Sequence, residues 1–184
     1  MNIIESEIRQ IFASIVWNHK IHEKHSDINS FWFNVLEFCK ILSSAITTSG
    51  LLTCFFIDEV ALKIITTVFS AICLFINTFY KTYNLKESRD SHKLSALEFL
   101  QLKNETICVL SDIKLRKIDI DEATKKRDDI LLKYHDICKR SLSTCDRAVK
   151  KASKALKIQK DNTFSDEEIN SYLPVELRKG KIND

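Results

Sequence analysis

The chain has 184 residues with 2 glycines, 1 proline, 6 cysteines and a formal net charge of +3. So little glycine and proline excludes a sheet protein built on tight turns and points to long helices. The cysteines (Cys39, Cys54, Cys73, Cys108, Cys138 and Cys145) include no C-x-x-C pair, so they read as free thiols of a reducing compartment and form neither a disulfide framework nor a zinc site.

Residues 2–16 read as an amphipathic helix, with Ile4, Ile8, Ile11 and Ile15 at helical spacing and Glu5, Glu7, Arg9 and Gln10 elsewhere. Such a polar start is not that of a secretory signal peptide. The next stretch, WNHKIHEKHSDINS, continues the helix with more polar character, and residues 27–30 offer caps where it would stop and another begin. Residues 1–30 therefore form an N-terminal amphipathic unit, lying on a membrane surface or packed on the later part of the chain.

Two uncharged apolar runs follow, at about 41–57 and 64–80, near the short end of the roughly 17–25 residues that cross a bilayer. Aromatic residues mark their outer edges: Phe31, Trp32 and Phe33 before the first, Phe79, Tyr80 and Tyr83 after the second. Residues 58–63, DEVALK, are all that joins them, so 31–83 reads as a tight antiparallel transmembrane hairpin. Lysines and arginines concentrate on the flanks (Lys20, Lys24, Lys40, Lys81, Lys86, Arg89, Lys93), which places both termini in the cytosol. The competing arrangement is a helical hairpin buried inside a soluble protein.

Residues 84–117 read as one helix with a stripe at Phe99, Leu102, Thr106, Val109 and Ile113. A break at 118–121 precedes a second helix from about 122 to 160. Its stripe is Leu131, Tyr134, Cys138, Ser141, Cys145, Ala148, Ala152 and Ala155, in steps of three and four, a candidate assembly seam. Together, 84–160 form a long cytosolic helical hairpin. In 161–184, residues 161–163 end that helix, Ser165 with Glu168 makes a capping box, and a short last helix stops near Pro174. The fold expected is all-α.

The apolar runs contain a second pattern. Ser43, Thr47, Gly50 and Cys54 share one helical face of the first, and Thr66, Ser70, Cys73 and Asn77 share one face of the second. Small and hydrogen-bonding residues serve either to pack membrane helices or, in an oligomer, to line a water-filled path. Neither run carries an ionisable acid, base or histidine, which argues against a proton relay or coupled transporter.

Candidate chemistry elsewhere is thin. His19, His22 and His25 recur every third residue beside Glu23 and Asp27, but they do not make H-E-x-x-H, so a polar helix surface is favoured over a metal site. There is no P-loop, G-x-G-x-x-G or G-x-S-x-G, and no enzyme or cofactor is expected. The bases Lys125, Lys126, Arg127, Lys150, Lys151, Lys154 and Lys157 are interrupted by acids and lack interleaved aromatics, so no direct nucleic-acid binding is expected.

The order of elements, with IVWNHKIHEKHSDI followed by FWFNVLEF, resembles the SLATT family of SMODS- and SLOG-associating two-transmembrane effectors over about residues 5–160. It is most similar to the variant often paired with reverse transcriptases. The resemblance implies a bacterial anti-phage effector of the inner membrane that oligomerises into a pore and causes abortive infection. It also implies an operon-encoded sensor, such as a reverse transcriptase or a nucleotide second-messenger synthase. Alternatively, the membrane helices only anchor an adaptor whose cytosolic helices dock a defence partner.

Overall fold

The computed structural model describes residues 2–54, 56–57, 59–161 and 165–172. Six helices make up the described secondary structure, with no strand among the described residues: α1 (Asn2–Cys54), α2 (Val60–Tyr83), α3 (Leu85–Lys114), α4 (Ile120–Arg140), α5 (Asp146–Lys157) and α6 (Asp166–Tyr172). The all-α class is as expected.

Helix α1 is a single rod of 53 residues, about 80 Å long at the α-helical rise. The break expected at residues 27–30 does not form. Proline is absent from the segment, and the polar groups that would cap a new helix are used sideways instead. Ser26 donates to the Arg89 carbonyl (3.1 Å) and Asn29 donates to Ser88 Oγ (3.0 Å), both on α3. A side chain engaged across an interface is not competing with the backbone for a turn.

Helices α2 and α3 run back along α1 in one antiparallel register. Gly50 faces Thr66, Ser44 meets Cys73, Phe33 meets Tyr80, Asn29 meets Ser88 and His22 meets His92. The only interruption in the returning strand of helix is Asn84, in the left-handed region at φ 36°. Asparagine tolerates that conformation better than most residues. It closes α2 through its N–H to the Tyr80 carbonyl (3.1 Å) and caps α3 by accepting from the Glu87 N–H (3.4 Å).

Towards the termini, α1 enters a bundle with α3, α4 and α5. Ile8 and Ile15 are fully buried among Phe99, Leu102, Val109, Ile113, Ala123, Ile130 and Ile137. The N-terminal amphipathic segment therefore packs on the later helices; of the two placements expected for it, this is the one observed. The α3 stripe Phe99, Leu102, Thr106, Val109 and Ile113 is buried as expected, and it extends back to Ala96, Ser95 and His92.

The helix expected from 122 to 160 is instead two. Asp119 caps α4 with its carboxylate on the Glu122 N–H (2.8 Å), and α4 ends where Ser141 turns extended. The Ser141 hydroxyl donates to the Ile137 carbonyl (2.8 Å) and touches Ser95 Oγ (2.9 Å), fixing the chain at the break. Extrapolating one stripe through that break misplaces the phase. The inward residues of α4 are Ala123, Ile130 and Ile137, while Leu131 and Tyr134 are half-buried and Cys138 is exposed. Helix α5 then lies on α1, where Ala148 and Ala152 pack with Ile21, Ile28 and Trp17.

Lys63, expected in the connecting loop, stands in the first turn of α2, because Val60, Ala61 and Leu62 extend the helix backwards. Ser165 and Glu168 form the expected reciprocal cap, Ser165 N–H to Glu168 Oε2 (2.8 Å) and Glu168 N–H to Ser165 Oγ (3.2 Å). The expected helix end near Pro174, and residues 162–163 of the preceding turn, lie outside the described residues.

Candidate functional site

Two constellations carry chemistry, one in the apolar hairpin and one just beneath it. The hairpin's two helices are long and apolar enough to cross a membrane. Their outward faces are uncovered: Phe38, Ile41, Leu51, Ile64, Leu74 and Phe75 are all exposed, the last two at 70% and 69%. A hairpin buried inside a soluble domain would hide these residues.

Most of the hydroxyls are satisfied within their own helix. Thr47, Thr48 and Thr53 donate to the carbonyls of Ser43, Ser44 and Ser49, and Thr66, Thr67 and Thr78 do the same to Leu62, Lys63 and Leu74, all at 2.8–2.9 Å. A threonine that bonds its own backbone carries little polarity into lipid. The α1 stripe faces α2: Ser43 is buried, and Thr47, Gly50 and Cys54 are half-buried. Gly50 permits the closest approach, since a Cβ built there would stand 2.2 Å from Thr66 Oγ1.

The α2 stripe divides. Thr66 is buried and Cys73 half-buried, with Cys73 Sγ 3.5 Å from Ser44 Oγ, but Ser70 and Asn77 are exposed. The inward face of α2 takes in Leu62, Thr66, Phe69, Cys73, Ile76 and Tyr80, and its centre is turned by roughly 50° from the stripe at 100° per residue, so only the stripe's near edge reaches α1. Ser70 and Asn77 have no hydrogen-bond partner among the described residues. The α5 part of the expected seam, Ala148, Ala152 and Ala155, is buried within this one chain, and Ser141 and Cys145 are half-buried at the break.

The second constellation is a layer of histidines between α1 and α3. His19 Nδ1 lies 2.8 Å from the Ala96 carbonyl, and His22 Nδ1 lies 2.9 Å from His92 Nδ1. His25 stacks on His92 with centroids 3.8 Å apart, and Phe99 closes the layer 5.7 Å from His22. Burial, reinforced by His25, lowers the His22 pKa to about 4; burial, then His25 and His22, lowers His92 to about 4 as well. Burial also lowers His25. The rings of His22, His25 and His92 are therefore neutral near pH 7.

Beside them Lys20, only 2% exposed, is held by Glu23 (2.8 Å) and by Asp161 beyond α5 (3.3 Å). Burial alone would raise the Glu23 carboxyl, but hydrogen bonds and charges from Lys20 and Lys24 outweigh it and keep it below its usual value. Among the described residues, no group of three or more histidine, cysteine or acidic side chains is arranged to hold a metal.

The model of the SMODS and SLOG-associating 2TM effector domain family 4 matches residues 4–168. The chain belongs to this family. No curated protein and no solved structure matches it. The matched region of this SLATT chain holds both apolar helices and the whole histidine layer, and the SLATT domain is an effector domain of defence systems. It is not a known enzyme family.

Two members of the site escape a reading of the sequence. His92 lies alone in SRDSHKL, far along the chain from HKIHEKH, and its only signal is that it continues the α3 stripe one turn before Ser95 and Ala96. Lys20 reads as a solvent-facing base among other polar residues, and nothing local announces that Asp161 would cover it.

Proposed function

We propose that this chain is the membrane effector of a bacterial anti-phage system, assembling as a homo-oligomeric pore in the inner membrane with both termini in the cytosol. The observation that carries the reading is Asn77. It is a carboxamide on the outer rim of an apolar helix with no partner among the described residues. In hydrocarbon such a group costs several kcal/mol unless another chain or water satisfies it. Ser70, two turns nearer the connecting loop on the same rim, extends the polar line. Copies of the hairpin arranged with these rims inward enclose a path lined by uncharged hydrogen-bonding groups, which is suited to poorly selective ion flow. Loss of ion gradients then arrests the infected cell. The trigger comes from an operon-encoded sensor, a reverse transcriptase or a nucleotide second-messenger synthase, and the effector itself performs no catalysis.

A second reading has its own support. Ser43, Thr47, Gly50, Thr66 and Cys73 are used in packing α1 on α2 within one chain, as a non-conducting anchor for a docking adaptor requires. Reconstituted liposomes separate the two. Dye release by the wild type that is lost in Asn77→Leu and in Ser70→Leu, with insertion unchanged, supports the pore; absence of release in the presence of the sensor supports the adaptor.

A further inference from the structure

Four of the chain's five histidines lie between α1 and α3, spread over about two turns of α1 that end at His25, under two turns before the aromatic pair Phe31 and Trp32. The His22–His92 contact is the unusual one. Two Nδ1 atoms 2.9 Å apart share one hydrogen, so one ring donates, the other accepts, and the acceptor must be neutral. A second proton turns the contact into two N–H groups pointing at each other. The stacked His25 has no slack to offer, since its own Nδ1 is buried without a partner.

No countercharge stands ready for that second proton. Among the described residues, His19 is the one histidine of the four with a carboxylate within 4 Å, Glu23 at 3.4 Å from Nε2, and that carboxylate is already shared by Lys20 and Lys24. The other groups around the layer are Asp27, paired with Lys24, on α1; Arg89, paired with Asp90, and Lys93 on α3; Tyr134 and Arg140 on α4, the latter taken by Glu98 and Asp136; and Cys145 at the start of α5. A cleft of about 590 Å³, lined by His19, Glu23, Ser26, Arg89, Lys93 and Leu97 among others, opens beside the layer and gives protons and water a way in.

We propose that the histidine layer is a proton-operated catch between α1 and α3, closed while its rings are neutral and sprung when they take up protons. The mechanical consequence follows from the fold. Helix α1 continues without a break from His25 to Cys54, whereas α2 and α3 meet at the left-handed Asn84. A rod released at the layer changes its lean against α2 further along, and the break in the helix at Asn84 accommodates the change. The depressed values of His22 and His92 give the direction: the closed layer excludes protons that separated rings in water would bind below about 6.5, so acid favours release. The bearing of the catch on conduction rests on the pore reading, whereas the catch itself does not.

The test is hydrogen exchange of the full chain in lipid nanodiscs, near pH 7.5 and near pH 5, for the wild type and for His22→Phe/His92→Leu. The variant keeps an apolar filling and removes the titration; comparing proteins at one pH cancels the chemical exchange rate. Expected at the higher pH is equal protection of residues 15–29 and 88–99 in both. At the lower pH the wild type loses protection there by about tenfold or more relative to the variant, while residues 123–137 stay matched. Equal protection of wild type and variant at the lower pH, or equal loss in both, overturns the catch. Should the variant not fold, ring NMR of the wild type decides. His22 and His92 titrating well below 6.5, together with the loss of α1–α3 protection, sustains the proposal; titration near 6.5, or titration without loss of protection, refutes it. Neither readout involves conduction, so a failed pore reading leaves the result interpretable.

Discussion

Gly50→Ala probes the tightest contact in the hairpin. The added Cβ would stand 2.2 Å from Thr66 Oγ1, with Thr66 Cβ and Cγ2 at 3.3 and 3.4 Å. Rotating Thr66 gives no free relief, because it breaks the hydroxyl's bond to the Leu62 carbonyl and leaves the Thr66 Cβ at 3.3 Å. The helices must instead part by about 1.2 Å locally to restore the 3.4 Å of an ordinary contact. A gap of 0.5–1 Å already forfeits about a quarter to a half of each dispersion contact, and overpacking of this kind costs about 1–3 kcal/mol. Replacing glycine in a helix returns roughly 0.5–1 kcal/mol of backbone entropy, so the net expectation is a loss of about 1–2 kcal/mol. The decisive comparison is a double-mutant cycle with Thr66→Ala, read by reversible unfolding in mixed micelles followed by far-ultraviolet circular dichroism. Thr66→Ala removes the 2.2 Å obstacle and leaves only the 3.3 Å contact, so the double variant should recover most of the loss, with a coupling of about 1 kcal/mol or more. Strict additivity, or a Gly50→Ala variant as stable as the wild type, would refute the close approach.

Further expectations concern the bundle. Glu23→Gln leaves the buried Lys20 ammonium with Asp161 alone and should cost about 2–3 kcal/mol, less than for a fully buried pair because both carboxylates are partly exposed; chemical denaturation in detergent measures it. Asn84→Ala loses the α3 cap and strains the left-handed joint, for about 1–2 kcal/mol, while Asn84→Gly, which loses only the cap, should cost a few tenths; thermal melts compare them. Ala148→Glu places an unpaired carboxylate against Ile21 and Ile28 and should detach α5, seen as protease cleavage at residues 141–157, before any effect on assembly. His22 and His92 have folded values near 4 against 6.5 unfolded, so their contribution is complete above 6.5 and fades as pH falls towards 4. Unfolding titrations should show a stability slope of up to about 1.4 kcal/mol per pH unit for each, absent in His22→Phe/His92→Leu.

What the sequence revealed was what depends on neighbours along the chain. The apolar runs, the Phe99–Leu102–Thr106–Val109–Ile113 stripe and the Ser165–Glu168 cap are local patterns, and each is found as read. The continuity of α1 through residues 27–30 was not legible, because Asn29 looks like a cap until α3 is there to receive it. The α4–α5 break was hidden for the opposite reason. Residues 141–145 contain neither glycine nor proline, and what stops the helix is Ser141 engaging Ile137 and Ser95. The histidine layer was half legible: HKIHEKH stood out, but its partner His92 is 70 residues from His22, a separation no periodicity spans. On α2 the stripe's four residues share a helical face by spacing, yet only Thr66 and Cys73 of them meet α1, because the inward face also takes in Phe69 and Ile76, which no local pattern marks.

The pore is tested most directly by membrane potential, with dye entry, in bacteria expressing the chain together with the sensor proposed to trigger it, beside an Asn77→Leu control. The pore account predicts rapid depolarisation on triggering that is lost in the control, although both proteins reach the membrane fraction in equal amount. A potential that holds after triggering, or a depolarisation that Asn77→Leu leaves intact, would contradict it.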